Sequence, residues 1–130
     1  MADWKLARDA EVDGALRAVA TRAALEKEEG NRLFREGNYC EAYTAYKRGA
    51  DAFEGFCQPA LAGEPRRLLA TLCCNAAQAL LRSGVDGATG EGARRMADRA
   101  LALEPTNAKA LFRRGCAHSN CGDWSLALED

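Results

Sequence analysis

Two distant stretches of this chain carry the same spacing of small and bulky residues. The first reads Gly30…Leu33…Gly37-Asn38-Tyr39…Ala42…Tyr46, the other Gly115…His118…Gly122-Asp123-Trp124…Ala127. In both, the second glycine follows the first by seven residues, and an alanine follows the second glycine by five. A looser copy lies between them: Ala77…Leu80…Gly84, then Ala93…Ala97…Ala100…Pro105. Self-similarity of this kind marks a stacked-repeat fold, in which each unit buries its apolar face only against its neighbours.

The unit must be helical. Alanine (27) and leucine (15) make up about a third of the 130 residues, isoleucine is absent, and valine plus threonine total eight. Strands favour β-branched residues, whereas alanine and leucine lead the helix scale. The fold class is therefore all-α. Breakers divide the chain at Gly37-Asn38, across Gly55 to Pro65, across Gly84 to Gly92, at Pro105-Thr106-Asn107 and at Cys121-Gly122-Asp123. Between them apolar residues recur every three or four positions, as in Leu68, Leu69, Leu72, Ala76, Ala79 and Leu80, or Ala93, Met96, Ala97, Ala100, Leu101 and Leu103. Residues 1–22 read as an N-terminal helical extension carrying Trp4, Leu6, Val12, Leu16 and Val19. It either runs on into residues 23–36 or packs beside them, and it shields the first repeat or docks a partner.

These segments resemble the tetratricopeptide repeat family, whose 34-residue unit is a helix–turn–helix. The resemblance covers about residues 23–130. It implies about two and a half repeats in a right-handed superhelical array: repeat 1 at about 23–56, an insertion at about 57–69, repeat 2 at about 70–107 and a partial repeat 3 at about 108–130. Gly30, Ala77 and Gly115 would let the first helix of each unit approach the second, with Ala42, Ala93 and Ala127 opposite. Tyr39 and Trp124 would plug the wedge between helices. The sequence departs from the family pattern in three ways. Glu54 stands where a proline often ends a unit, about four residues are added within Val85–Gly92, and the third unit stops inside its second helix, so a fragment of something longer or a truncated product is expected.

In such an array the first helix of each unit lines the concave face. The first presents Lys27 and Asn31, the second Asn75, the third Lys109 and Arg113, each pair at i, i+4 and hence on one face. This set is similar to the two-carboxylate clamp of co-chaperone repeat domains, Lys-x3-Asn, Asn, Lys-x3-Arg. Two of only four lysines, against 14 arginines, fall on the two clamp-lysine positions. A peptide ending in aspartate offers a main-chain and a side-chain carboxylate. Lysines would supply flexible ammonium donors, Arg113 a fork, and the asparagines neutral amide donors that set orientation. By the same register Phe34, Gln78 and Arg82 are groove neighbours.

The resemblance implies a protein-interaction module, a co-chaperone or adaptor for the acidic Glu-Glu-Val-Asp tail of heat-shock protein 70 or heat-shock protein 90. The segment Ala110-Leu-Phe-Arg-Arg-Gly and the first insertion look most like immunophilin-type co-chaperones. The alternatives are a docking domain of a longer prolyl isomerase or phosphatase, and an assembly scaffold for another partner peptide. A monomer is expected, with self-association through the incomplete third repeat as the other outcome.

Other classes find little support. Net charge is −1, without the basic excess of a nucleic-acid surface. No apolar run approaches the roughly 18 residues of a membrane span, and Asp3 and Asp9 spoil a targeting leader. A cytoplasmic or nuclear location follows as the expectation. Cys40, Cys57, Cys73, Cys74, Cys116 and Cys121 include no CxxC pair, and there is one histidine, so neither zinc nor any other metal or cofactor is expected. No phosphate-binding loop is present, and a catalytic reading would rest on His118 alone, which sits where a bulky packing residue belongs. The chain is not expected to be an enzyme. Glu28-Glu29 and Arg114 read as solvated charges.

Overall fold

The computed structural model describes the backbone of residues 3–55, 63–84 and 87–119, and the side chains of 11–55, 63–84 and 90–115. Five helices follow in order: α1 (Asp3–Arg35), α2 (Tyr39–Asp51), α3 (Gly63–Ser83), α4 (Gly87–Leu103) and α5 (Ala108–Ser119). No strand occurs among the described residues. Each helix packs on the next, and α3 also touches both α1 and α5. The result is an all-α helical-repeat fold with α3 at its centre, packed against the other four helices.

The turn between α1 and α2 shows why the Gly37-Asn38 signal was readable. Gly37 takes a φ of 83°, a conformation that costs glycine nothing. The Asn38 N–H donates to the Leu33 carbonyl (2.9 Å) and the Gly37 N–H to the Phe34 carbonyl (3.0 Å). That doubly bonded C-terminal turn satisfies carbonyls the helix leaves open. Past Pro105, the Asn107 side chain accepts from the Ala110 N–H (3.1 Å) and so caps α5.

The core is built from small residues at helix crossings. Ala42, Ala45, Ala50, Ala70, Ala76, Ala77, Ala79, Ala93, Ala97 and Ala100 are fully buried. Of the proposed close-approach positions, Gly30 is the clearest. A Cβ there would lie 2.5–2.9 Å from three ring atoms of Tyr46 on α2. Ala42, Ala77 and Ala93 are buried as expected. The expected partners of Gly115, Trp124 and Ala127, lie outside the described residues. Tyr39 packs edge-on against Phe34, with centroids 5.0 Å apart. Gly30→Ala should lower unfolding free energy by about 1–2 kcal/mol in urea titration. Overpacking against a buried ring outweighs the roughly 1 kcal/mol that alanine gains in a helix. A stabilised variant would show that the Tyr46 ring yields freely.

Three stretches that the sequence left open take definite form in the structure. Of the two alternatives for the N-terminal extension, the structure has it running on into residues 23–35 as one continuous helix, α1. The expected insertion at 57–69 overlaps the first two turns of α3, which opens at Gly63 (φ 60°) with Pro65 in its first turn. There a missing N–H is harmless. The glycine-rich stretch up to Gly92 is helical from Gly87. Gly92 explains part of this, because a Cβ would sit 3.0 Å from the Leu80 side chain, so glycine marks a close α3–α4 approach.

Ion pairs and one capping bond tie the helices together at the rim. Arg48 bonds Glu26 (3.2 Å), Arg99 bonds Asp51 (3.2 Å), and Arg66 donates to the Leu103 carbonyl at the end of α4 (2.8 Å). Arg114 contacts Asp98 at 3.4 Å, so it bridges α5 to α4 rather than standing alone in solvent. Glu29 holds Arg32, which also bonds Glu36 (2.7 Å). Arg32 holds the Glu29 carboxyl below its usual range.

Candidate functional site

The residues that the sequence proposes for a site lie on α1, α3 and α5. Asn31 and Asn75 come from neighbouring helices and line one cavity of about 170 Å³ together with Phe34, Arg35, Tyr46 and Gln78. Asn31, Asn75, Phe34 and Gln78 are half-buried. They meet because α1 and α3 pack against each other. Asn31 does not point freely. The Tyr46 hydroxyl donates to its Oδ1 at 2.6 Å.

Lys27 is one turn before Asn31 but lines the adjacent cavity, of about 530 Å³, with Asp13, Leu16, Arg17, Ala20 and Ala24 of α1 and Glu64, Pro65 and Leu68 of α3. It is half-buried, and the extended first turns of α3 wall its surroundings. Arg82 is exposed near the end of α3.

Lys109 and Arg113 lie on α5, which packs on α3. Both act on the Cys74 thiol, the residue before Asn75. Burial pushes that thiol up, Arg113 and Lys109 pull it back, and Glu104 pushes it up. Lys109 is exposed, whereas Arg113 is only 9 % exposed and lies 5.2 Å from the Phe112 ring centroid. Both belong to α5, which packs against α3, the helix that carries Asn75. Cys73 is fully buried, and burial pushes its thiol up to about 12, with the Arg99 charge pulling it back. The adjacent cysteines diverge, as neighbours on a helix must.

Two cavity residues escaped the sequence reading as site residues. Arg35 is four positions after Asn31, the same i, i+4 step used to pair Lys27 with Asn31, so helical spacing could have found it. Tyr46 enters the sequence reading only as a member of the repeat spacing. Its second role needed the third dimension, because it reaches the cavity from α2. Among the described residues no group of three or more His, Cys, Asp or Glu side chains could hold a metal ion. The side chains of Cys57, Cys116, His118 and Cys121 lie outside the described set.

No protein-family profile matches the chain, and no solved structure matches it. The chain is similar to the inactive peptidyl-prolyl cis-trans isomerase FKBP6 of Rattus norvegicus, with 35 % identity over 105 residues. The match covers 78 % of this chain and 30 % of that protein. The chain thus spans under a third of the length of this curated relative. No helix among the described residues is long and apolar enough to cross a membrane.

The described thiols differ sharply in access. Cys40 is exposed, and Cys73 and Cys74 are buried. Iodoacetamide at pH 8 should modify Cys40 in the native protein and leave Cys73 and Cys74 unreacted until denaturant is added, because the thiolate is the nucleophile. Peptide mass mapping reads this out. Native labelling of Cys73 would mean that α3 opens readily.

Proposed function

We propose that the chain is a tetratricopeptide-type interaction module that binds the acidic C-terminal tail of a heat-shock protein 70 or 90 chaperone as a co-chaperone or adaptor. On this reading the C-terminal half of α1 with α2 is the first unit, α3 with α4 the second, and α5 opens the third. The observation that carries the reading is the convergence of Asn31 and Asn75 on one cavity, with Lys109 and Arg113 carried by α5, which packs against the helix of Asn75. Neutral amide donors beside exposed and buried cations suit a ligand with two carboxylates at one end. Capture of a chain terminus is a recurrent recognition mode. No reaction is assigned to the chain. Lys27 completes the set if its flexible stem swings from the neighbouring cavity toward Asn31.

The test is a titration with a labelled Met-Glu-Glu-Val-Asp peptide, free acid against C-terminal amide. The acid should bind with a dissociation constant on the order of micromolar, as a few anchors allow. The amide should bind at least about ten-fold more weakly, since donors near the cavity lose a charged partner. Raised salt should weaken the acid more than the amide. If neither peptide binds a folded sample, the groove serves another partner.

A second reading is favoured by the comparison. Similarity to less than a third of a longer isomerase-related protein supports a docking region within a multidomain protein. It differs from the first in what is attached, and the same groove would be used.

A further inference from the structure

Tyr46 carries an inference that rests on the clamp reading and adds a residue to it. We infer that Tyr46 is a positioning residue: its buried hydroxyl locks the Asn31 amide so that Nδ2, a donor, is the end presented to a ligand carboxylate.

The argument starts at Gly30. The missing side chain there lets the Tyr46 ring lie against α1, where a Cβ would come within 2.5 Å of it. Seated so, the ring is 2 % exposed, and its hydroxyl reaches the very next residue, Asn31, at 2.6 Å. Both residues line the same cavity, so the bond is made at its wall. A primary amide has an acceptor end and a donor end of nearly the same shape. Only the donor end suits a carboxylate. With Oδ1 engaged by the hydroxyl, Nδ2 is the end left for the cavity. Burial pushes the Tyr46 hydroxyl above its usual range, with Arg35 lowering it and Glu28 raising it, so it remains a neutral donor. Gly30, Tyr46 and Asn31 thus form one device, in which the packing notch sets the hydroxyl and the hydroxyl sets the amide.

Tyr46→Phe keeps the ring in the notch and removes only the hydroxyl. It should weaken binding of the free-acid Met-Glu-Glu-Val-Asp peptide by about three- to ten-fold, the range of one neutral hydrogen bond, and leave the amide peptide unchanged. The same substitution made on Asn31→Ala should have no further effect. A merely structural role predicts an equal loss in both backgrounds and for both peptides. In the ligand-free protein, Tyr46→Phe should also shift the Asn31 side-chain amide resonances in a nitrogen–proton spectrum. Unchanged acid affinity in Tyr46→Phe, or an equal loss on Asn31→Ala, overturns the inference while the clamp reading stands. A wild-type chain that binds acid and amide alike overturns the clamp reading and removes this role with it. The spectrum would then still report whether the hydroxyl holds the amide.

Discussion

Leu72→Ala should cost about 2–5 kcal/mol of stability and lower the melting temperature by at least about 10 °C. Leu72 is fully buried in the middle of α3. Its two methyls lie 3.1 and 3.2 Å from where a Cβ on Gly49 of α2 would stand. The side chain therefore fills a notch between two helices and helps hold α2 to α3. Most of the surrounding core is alanine, and the largest fully buried side chains are Phe53, Leu72 and Cys73. Alanine has no rotamers with which to collapse into a cavity, so the void stays open and its cost stays high. The control is Leu25→Ala at 67 % exposure, which should change stability by no more than about 0.5 kcal/mol. Thermal unfolding followed by circular dichroism compares the two. A loss below about 1 kcal/mol for Leu72→Ala would mean that α2 and α3 close over the gap.

The second large effect is functional. Lys109→Ala should weaken binding of the free-acid peptide by at least about ten-fold and leave the melting temperature unchanged. Lys109 is exposed, so its removal takes away a charge without opening a void. A charge-assisted bond to a carboxylate contributes about 1.5–3 kcal/mol, which is ten-fold or more. Arg113→Ala is a different experiment. At 9 % exposure Arg113 is packed within the helices, so its truncation should reduce both binding and stability. Isothermal titration beside thermal unfolding separates the two variants. Unchanged peptide affinity in Lys109→Ala would move the α5 cation out of the binding surface.

Helical class, the α1–α2 turn and the alanine crossings were legible because each rests on a local preference or a short spacing. Gly37 sits in a left-handed turn that glycine tolerates, and Ala42, Ala77 and Ala93 are buried where the repeat spacing put them. The cavity was half legible. Helical spacing placed Asn31 and Phe34 on one face of α1, and Asn75 and Gln78 on one face of α3. It could not say that Lys27 would line a separate cavity. That depends on the extra turns of α3, in a stretch whose glycines and prolines read as loop.

By itself, then, the sequence determined an all-α chain of paired helices and the register in which its small residues meet. Tertiary structure decided which glycines are turns and which are contacts. Gly37 and Gly92 look alike in a string of letters, yet one relieves backbone strain and the other admits the Leu80 side chain. It also decided that Tyr46 touches Asn31, fifteen residues away and on another helix. Local propensity depends on a few neighbouring residues. A hydroxyl meeting an amide depends on how two helices cross, and that crossing is set by packing along their whole shared length.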